Sequence, residues 1–165
     1  MLKTPEEIMY GENILTISVK YNDADLHRLE KIENGDWIDL YCAEDVVLHK
    51  DEFKLISLGV VIELPDGYEA HMVPRSSTFK NYGIIMTNSV GIIDNSYKGP
   101  NDIWRVPAYC VQPKSFVDGE NVTVIHKNDR ICQFRLVKNM DKVRINEIKI
   151  VKAISSRGGI GSTGI

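Results

Sequence analysis

The chain lacks most of the sequence signatures that announce a reaction. Its four histidines, His27, His49, His71 and His126, are scattered with no HxxxH or HxH spacing, so a histidine-built zinc centre is not expected. There is no Gly-x-Ser-x-Gly elbow and no P-loop, which removes support for serine-nucleophile chemistry and Walker-type nucleotide binding. The three cysteines, Cys42, Cys110 and Cys132, form no CxxC pair, and their odd number argues against a disulfide framework. They read as buried, reduced thiols of a cytoplasmic protein. No apolar run is long enough to cross a bilayer, and Met1-Leu-Lys-Thr-Pro-Glu-Glu7 lacks the apolar core of a signal peptide. The net charge of −3 argues against a broad nucleic-acid-binding face, and no membrane partner is expected. A polyphosphate ligand would therefore need cations gathered locally, or a metal.

What is present is strand signal. At 165 residues, 43% hydrophobic and 26% charged, the chain can form one domain with a real core. Ile14 to Tyr21 alternates and is rich in β-branched residues. Trp37–Cys42, Phe53–Leu64 (kinked at Gly59) and Tyr68–Val73 read as further extended runs, with Pro65-Asp-Gly67 as a turn. Gly83–Met86 and Val90–Ile93 flank Thr87-Asn-Ser89 and suggest a hairpin. Asp102–Val111, Asn121–His126, Ile131–Val137 and Val143–Ile154 follow. One segment, Asp25 to Glu33, places Leu26, Leu29 and Ile32 on one helical face and predicts a short helix of about two turns. Many short strands separated by Gly, Pro and Asn turns indicate an all-β sandwich or barrel over residues 1–154. Residues 155–165, Ser-Ser-Arg-Gly-Gly-Ile-Gly-Ser-Thr-Gly-Ile, are too poor in apolar side chains to build a core and read as a flexible Gly-rich arm.

Five short elements could carry chemistry. The most informative is Asn88-Ser-Val-Gly91-Ile-Ile93-Asp94-Asn-Ser-Tyr97-Lys-Gly99, where an apolar run turns at Gly91, reaches a carboxylate and sets an aromatic three residues on. Val73-Pro-Arg75-Ser76-Ser77 joins a guanidinium, suited to bidentate phosphate contacts, to two hydroxyls. In Asp129-Arg130-Ile131-Cys132-Gln133-Phe134, alternation sets Ile131 and Gln133 on one face and Cys132 and Phe134 on the other; a buried Gln133 would need a partner. Asp39 shares a parity with Trp37 in an otherwise core-like strand. In the tail, Gly158, Gly159 and Gly161 let backbone N–H groups approach an oxyanion, with Arg157, Ser162 and Thr163 adding charge and hydroxyls.

Their order resembles the five motifs of the trimeric dUTPases, the enzymes that hydrolyse dUTP to dUMP and pyrophosphate. The resemblance runs from about residue 36 to the C-terminus, and the Gly-Ile-Ile-Asp-x-x-Tyr-x-Gly run and the tail are its most specific parts. It implies a jelly-roll-like all-β subunit, a homotrimer with active sites between subunits, and closure by a donated C-terminal arm. Asp94 would then bind the deoxyribose 3′-OH and orient the attacking water, and Tyr97 would pack on the sugar and exclude a ribose 2′-OH. Asn88 and backbone groups from Gly91 to Ile93 would read the uracil edge. Arg75, Ser76 and Ser77 would hold phosphate oxygens, and Gln133 the α-phosphate region. Asp39 would help hold Mg²⁺, the implied cofactor, through water. Arg157, Gly158, Gly159, Gly161, Ser162 and Thr163 would close over the phosphates.

The chain departs from the family pattern in the tail. Ile160 stands where the phenylalanine that stacks on uracil is usual, and Arg157 lies two residues beyond the usual arginine. Trp104 and Arg105, just after the Asp94 element, become candidate base lids beside Ile160. Two rival readings share the scaffold. A dCTP deaminase would need a glutamate after the Asp94 run, and no Glu occurs between Glu69 and Glu120. A non-catalytic nucleotide-binding regulatory trimer would not need Asp94, Tyr97, Arg75, Gln133 and Asp39 together.

Overall fold

The computed structural model describes residues 14–150. In chain order its elements are β1 (Ser18–Tyr21), β2 (Ile38–Tyr41), β3 (Val46–His49), β4 (Phe53–Ser57), β5 (Val60–Glu63), β6 (Tyr68–Pro74), α1 (Thr78–Tyr82), β7 (Ile84–Met86), β8 (Gly91–Ile93), β9 (Arg105–Cys110), β10 (Ser115–Val117), β11 (Glu120–Ile125) and β12 (Arg130–Lys138). They form four small sheets ordered β1-β5, β10-β11-β3, β2-β12-β6-β8 and β4-β9-β7, and every pairing is antiparallel. This is the all-β architecture that the strand spacing predicts.

Period-two alternation explains how short strands make one core. Val46 and Leu48 of β3 point inward while Val47 and His49 face out. Val106, Ala108 and Cys110 of β9 do the same. The inward faces meet around Trp104 and Phe134, whose rings pack edge-on with centroids 5.1 Å apart, among Leu40, Leu48, Ile56 and Ile62. Each such side chain contributes about 1.5–3 kcal/mol by leaving water. Gly59 makes the sheet change possible: its φ is +64°, and a Cβ there would lie 2.4 Å from Leu26 Cδ1. β4 therefore ends in one sheet and β5 begins in another.

Four expectations need correction. Residues 25–33 form no helix; the helical turn is α1 instead. Asn128 accepts from the His27 amide at 2.8 Å and donates to the Asp25 carbonyl at 3.1 Å, and the Tyr21 hydroxyl accepts from the Leu29 amide at 2.8 Å. Backbone groups a helix would use are thus engaged by distant side chains. Thr87-Asn-Ser89 closes no hairpin ladder, because β7 pairs with β9 and β8 with β6. The turn carries the chain between sheets, with Ser89 at φ +58°. Residues 143–150 form no strand; the rest of that expected strand lies outside the described residues. Finally, a bulge between Arg130 and Cys132 opposite β2 turns Ile131 into the core, where it is fully buried, rather than onto the face of Gln133.

Candidate active site

The Asp94 element builds one wall of a cleft of about 510 Å³. Asn88, Gly91, Ile93, Asp94, Tyr97, Trp104 and Arg105 all line it, joined by Leu55, Met72, Ile92, Ser96 and Ile103. Among the described residues β8 pairs only with β6, so its second edge presents unpaired backbone N–H and C=O groups. Such a row can hydrogen-bond the edge of a flat base. Gly91 keeps the wall thin, since a Cβ there would stand 3.0 Å from Met72 Cε and 3.7 Å from Asn88 Nδ2.

After β8 the chain turns on its own side chains. The Ser96 amide donates to Asp94 Oδ1 at 2.7 Å, and the Tyr97 amide to the Asp94 carbonyl at 3.0 Å. Hydrogen bonds from the Ser96 side chain, then its backbone N–H, hold the Asp94 carboxyl below its ordinary value of 3.8, so it is a carboxylate at neutral pH. Asn95 donates to the carbonyls of Leu64 and Pro65 at 2.8 and 3.0 Å and fastens the turn to the β5–β6 connection. The Gly99 amide donates to Asp102 Oδ2 at 2.6 Å, and a Cβ on Gly99 would stand 2.8 Å from that oxygen. Asp94 is exposed and Tyr97 is 42% exposed, so in one chain the cleft is open.

Trp104 corrects the lid expectation. The indole is 1% exposed and packed on Phe134, so it floors the cleft rather than covering it. Among the described residues its Nε1 meets no hydrogen-bond partner. Arg105 is exposed on the same cleft and is the lid candidate that the geometry leaves. Ile160, Arg157, Gly158, Gly159, Gly161, Ser162 and Thr163 lie outside the described residues.

The remaining candidates meet elsewhere. Strand register sets Asp39, Gln133 and Val73 in one row across β2, β12 and β6, on the face opposite the buried row Phe134–Met72–Gly91. Arg75, just after β6, donates from Nε to Asp39 Oδ1 at 2.7 Å, and Arg130 reaches Asp39 Oδ2 from NH1 at 3.3 Å. The Arg75 amide donates to Thr78 Oγ1 at 2.9 Å; that buried hydroxyl donates in turn to the Ile131 carbonyl, also at 2.9 Å. Ser77 Oγ lies 3.5 Å from Arg75 NH1, Ser76 is exposed, and Gln133 Nε2 is 3.4 Å from the Pro74 carbonyl. Beside them His27, Tyr41, Arg75, Asn81, Tyr82, Asn128, Asp129 and Arg130 line a polar well of about 430 Å³. No residue lines both this well and the Asp94 cleft.

Among the described residues no group of three or more His, Cys, Asp or Glu could hold a metal by itself. Asp39 accepts one guanidinium contact on each oxygen and keeps acceptor capacity free. That fits a hydrated Mg²⁺ carried mainly by a ligand's phosphates, and not a cage of protein ligands. The thiols take no part: Cys42, Cys110 and Cys132 are free and buried, and burial pushes Cys42 up to about 11 and raises Cys132 as well.

A family model described as dUTPase matches residues 37–164. The chain belongs to the dUTPase family. It is 54% identical over 150 residues to the SPbeta prophage-derived deoxyuridine 5′-triphosphate nucleotidohydrolase YosS of Bacillus subtilis strain 168, covering 91% of this chain and 99% of that one. A deoxyuridine 5′-triphosphate nucleotidohydrolase of Hydrogenobaculum sp. is 36% identical over 78% of this chain and 83% of its own. A Staphylococcus bacteriophage 80alpha dUTPase solved with dUPNHPP superposes with a TM-score of 0.74 at 22% identity, covering 91% and 99% of the two chains. A mutant dUTPase from phage phi11 of S. aureus, described as revealing the coordination of a structural Mg(II) ion, gives 0.70 at 18% identity, covering 84% and 99%. At these identities the two structures speak for the jelly-roll-like dUTPase fold alone.

Two members of the site escaped the sequence reading. Ser96 could have been found from Asp-x-Ser, a self-bonding turn in which the amide two residues on meets the carboxylate. Arg130 was visible as a residue, but its direction depends on the bulge.

Proposed function

We propose that this dUTPase-family chain is a dUTP diphosphatase. It hydrolyses dUTP to dUMP and pyrophosphate, supplying dUMP for thymidylate synthesis and keeping uracil out of DNA. The observation that carries the reading is the single cleft uniting an unpaired strand edge, Asn88, the ionised Asp94 and the half-open ring of Tyr97. A strand edge and an amide can read uracil as a pairing partner would. Tyr97 packs against the deoxyribose and leaves no room for a 2′-OH. A site that pairs these groups rejects analogues by leaving buried polar atoms unpaired.

Asp94 binds the 3′-OH and orients the water that attacks the α-phosphorus, accepting its proton as a general base. Arg75, Ser76 and Ser77 hold phosphate oxygens, and Gln133 the α-phosphate and the water. Asp39 would hold Mg²⁺ through water. The ion, when bound, neutralises the triphosphate and favours one phosphate conformation. Pyrophosphate leaves opposite the attacking water, and the protein contributes chiefly positioning and charge stabilisation. Arg157, Gly158, Gly159, Gly161, Ser162 and Thr163 close the site.

The halves of this machinery belong to different copies of a homotrimer. In one chain the β2-β12-β6-β8 sheet separates them, and the cleft lies open. Two apolar surfaces fit burial against neighbours: Phe53, Leu55 and Ile85 on the outside of the β4-β9-β7 sheet, and Val143, Ile145, Ile148 and Ile150 beyond β12. No helix among the described residues is long and apolar enough to cross a membrane, and the free thiols suit a cytoplasmic setting.

Subunit mixing tests the reading. Asp94→Asn and Gln133→Ala homotrimers should each release almost no pyrophosphate from dUTP. Refolding the two together should restore about a quarter of wild-type activity, the share of interfaces that pair one intact half from each chain. An inactive mixture beside an active wild type would refute the shared site.

A further inference from the structure

We propose that Arg130 is a positioning residue for the phosphate half of the site: it clamps Asp39 so that Asp39 in turn fixes the Arg75 guanidinium. The inference rests on the dUTP reading above.

The bulge in β12 is what makes this possible. Gln133 faces Asp39, and Cys132 faces Leu40 on the core side. Unbroken alternation would carry Arg130 to the core side with Cys132 and Phe134, and Ile131 to the open side. With one extra residue inserted, Arg130 instead faces Tyr41, which shares its parity with Asp39, and Ile131 goes inward. Arg130 thereby joins Asp39 and Gln133, and its NH1 reaches Asp39 Oδ2 at 3.3 Å.

The carboxylate is thus held at both ends, by Arg75 Nε on Oδ1 and by Arg130 NH1 on Oδ2. Asp39 and Arg75 are each about one-quarter exposed, whereas Arg130 is 54% exposed. Without Arg130, Asp39 would be anchored by Arg75 alone and could rotate with it. With Arg130, the carboxylate plane is fixed, and the Arg75 backbone is held separately by its N–H hydrogen bond to Thr78 Oγ1, whose hydroxyl donates in turn to the Ile131 carbonyl beside Arg130. Nε is spent on Asp39 and NH1 has only the long 3.5 Å contact to Ser77 Oγ, so the NH1 and NH2 side of Arg75 retains donors to meet phosphate oxygens. The trio carries a net charge of +1, so cationic character is retained where a triphosphate must bind, in a chain whose overall charge is −3.

The test is a double-mutant cycle on the full-length assembled protein, read in KM and kcat for dUTP, with inhibition by deoxyuridine as an internal control. Deoxyuridine occupies the Asp94 cleft but has no phosphate. Arg130→Gln should raise the KM for dUTP by about tenfold, the scale of one charge-assisted hydrogen bond. It should leave the deoxyuridine inhibition constant within about twofold. In an Asp39→Asn background the same substitution should change KM by less than about twofold, and Arg130→Lys should recover part of the loss in wild type. An undiminished effect in the Asp39→Asn background would show that Arg130 touches phosphate directly and would overturn the proposal. So would an unchanged KM, or a parallel shift in deoxyuridine inhibition. A wild-type protein without dUTP turnover would instead remove the underlying functional reading.

Discussion

The place of Trp104 can be tested by two substitutions with opposed expectations. The indole is 1% exposed and packed edge-on against Phe134. A buried aromatic side chain removes about 150–250 Å² from water, which at about 25 cal/mol per Å² is about 4–6 kcal/mol. Truncations of buried Trp or Phe to Ala cost about 3–5 kcal/mol once the cavity relaxes. Trp104→Ala should therefore cost about 4 kcal/mol, a large part of a typical domain's stability of about 5–15 kcal/mol. Trp104→Phe loses less volume and also removes a buried N–H that has no partner among the described residues. Leaving such a donor unpaired costs about 1–3 kcal/mol, so the two terms offset and Phe should lie within about 1 kcal/mol of wild type. The assay is urea unfolding followed by near-UV circular dichroism at one protomer concentration, because assembly shifts the midpoint. The dUTP KM is measured where each variant is folded, and Trp104→Phe should leave it within about twofold. An alanine variant less than about 1 kcal/mol below wild type, with dUTP affinity nonetheless lost, would refute the floor assignment and restore the lid.

If Asp94 is the general base, Ser96 should set the acid limb of the pH profile. Its hydrogen bonds hold Asp94 below 3.8, so activity should persist as pH falls and be lost only through that lowered value; Ser96→Ala should move the limb upward, and an unmoved limb in kcat/KM would contradict the assignment. Gly83 caps α1 at φ +62°, where a Cβ would stand 1.6 Å from the Gln112 carbonyl oxygen, so Gly83→Ala should cost more than about 4 kcal/mol in urea unfolding. Gly67, at φ +80° with nothing within 4 Å of its Cβ position, supplies the comparison: Gly67→Ala should cost only about 1 kcal/mol, and equal losses at the two sites would refute the steric argument.

Local pattern revealed the strands that alternate and the motif residues that sit within a few positions of one another. The Asp94 cleft was legible for that reason, since Asn88 to Tyr97 are consecutive and the turn bonds to itself. What depended on distant partners was not legible. The apolar spacing of Leu26, Leu29 and Ile32 is helical, yet Asn128 takes the backbone groups of that segment, and Ile32 ends 60% exposed. The actual helical turn, Thr78–Tyr82, is too short to show periodicity and ends on Gly83 in the left-handed region. β3 and β10 were missed although β7 and β8 are as short, so length alone does not account for it; neither lies in one of the longer apolar runs that the sequence displays. The bulge at Ile131 reverses a parity that sequence alternation alone must misassign, and it places Arg130 with Asp39. Trp104 was one of three lid candidates from its position in the chain, but its packing against Phe134, thirty residues away, decides where it goes.

The central claim is that the cleft of Asn88, Asp94 and Tyr97 selects and hydrolyses dUTP. The most direct measurement is pyrophosphate release by the wild-type protein with Mg²⁺, using dUTP, UTP, dTTP and dCTP in parallel and monitoring ammonia with dCTP. The account predicts one pyrophosphate and one dUMP per dUTP, turnover of the other three lower by at least about a hundredfold in kcat/KM, and no ammonia. Binding of dUTP without pyrophosphate release would contradict it, as would ammonia from dCTP or turnover of UTP at a rate matching dUTP.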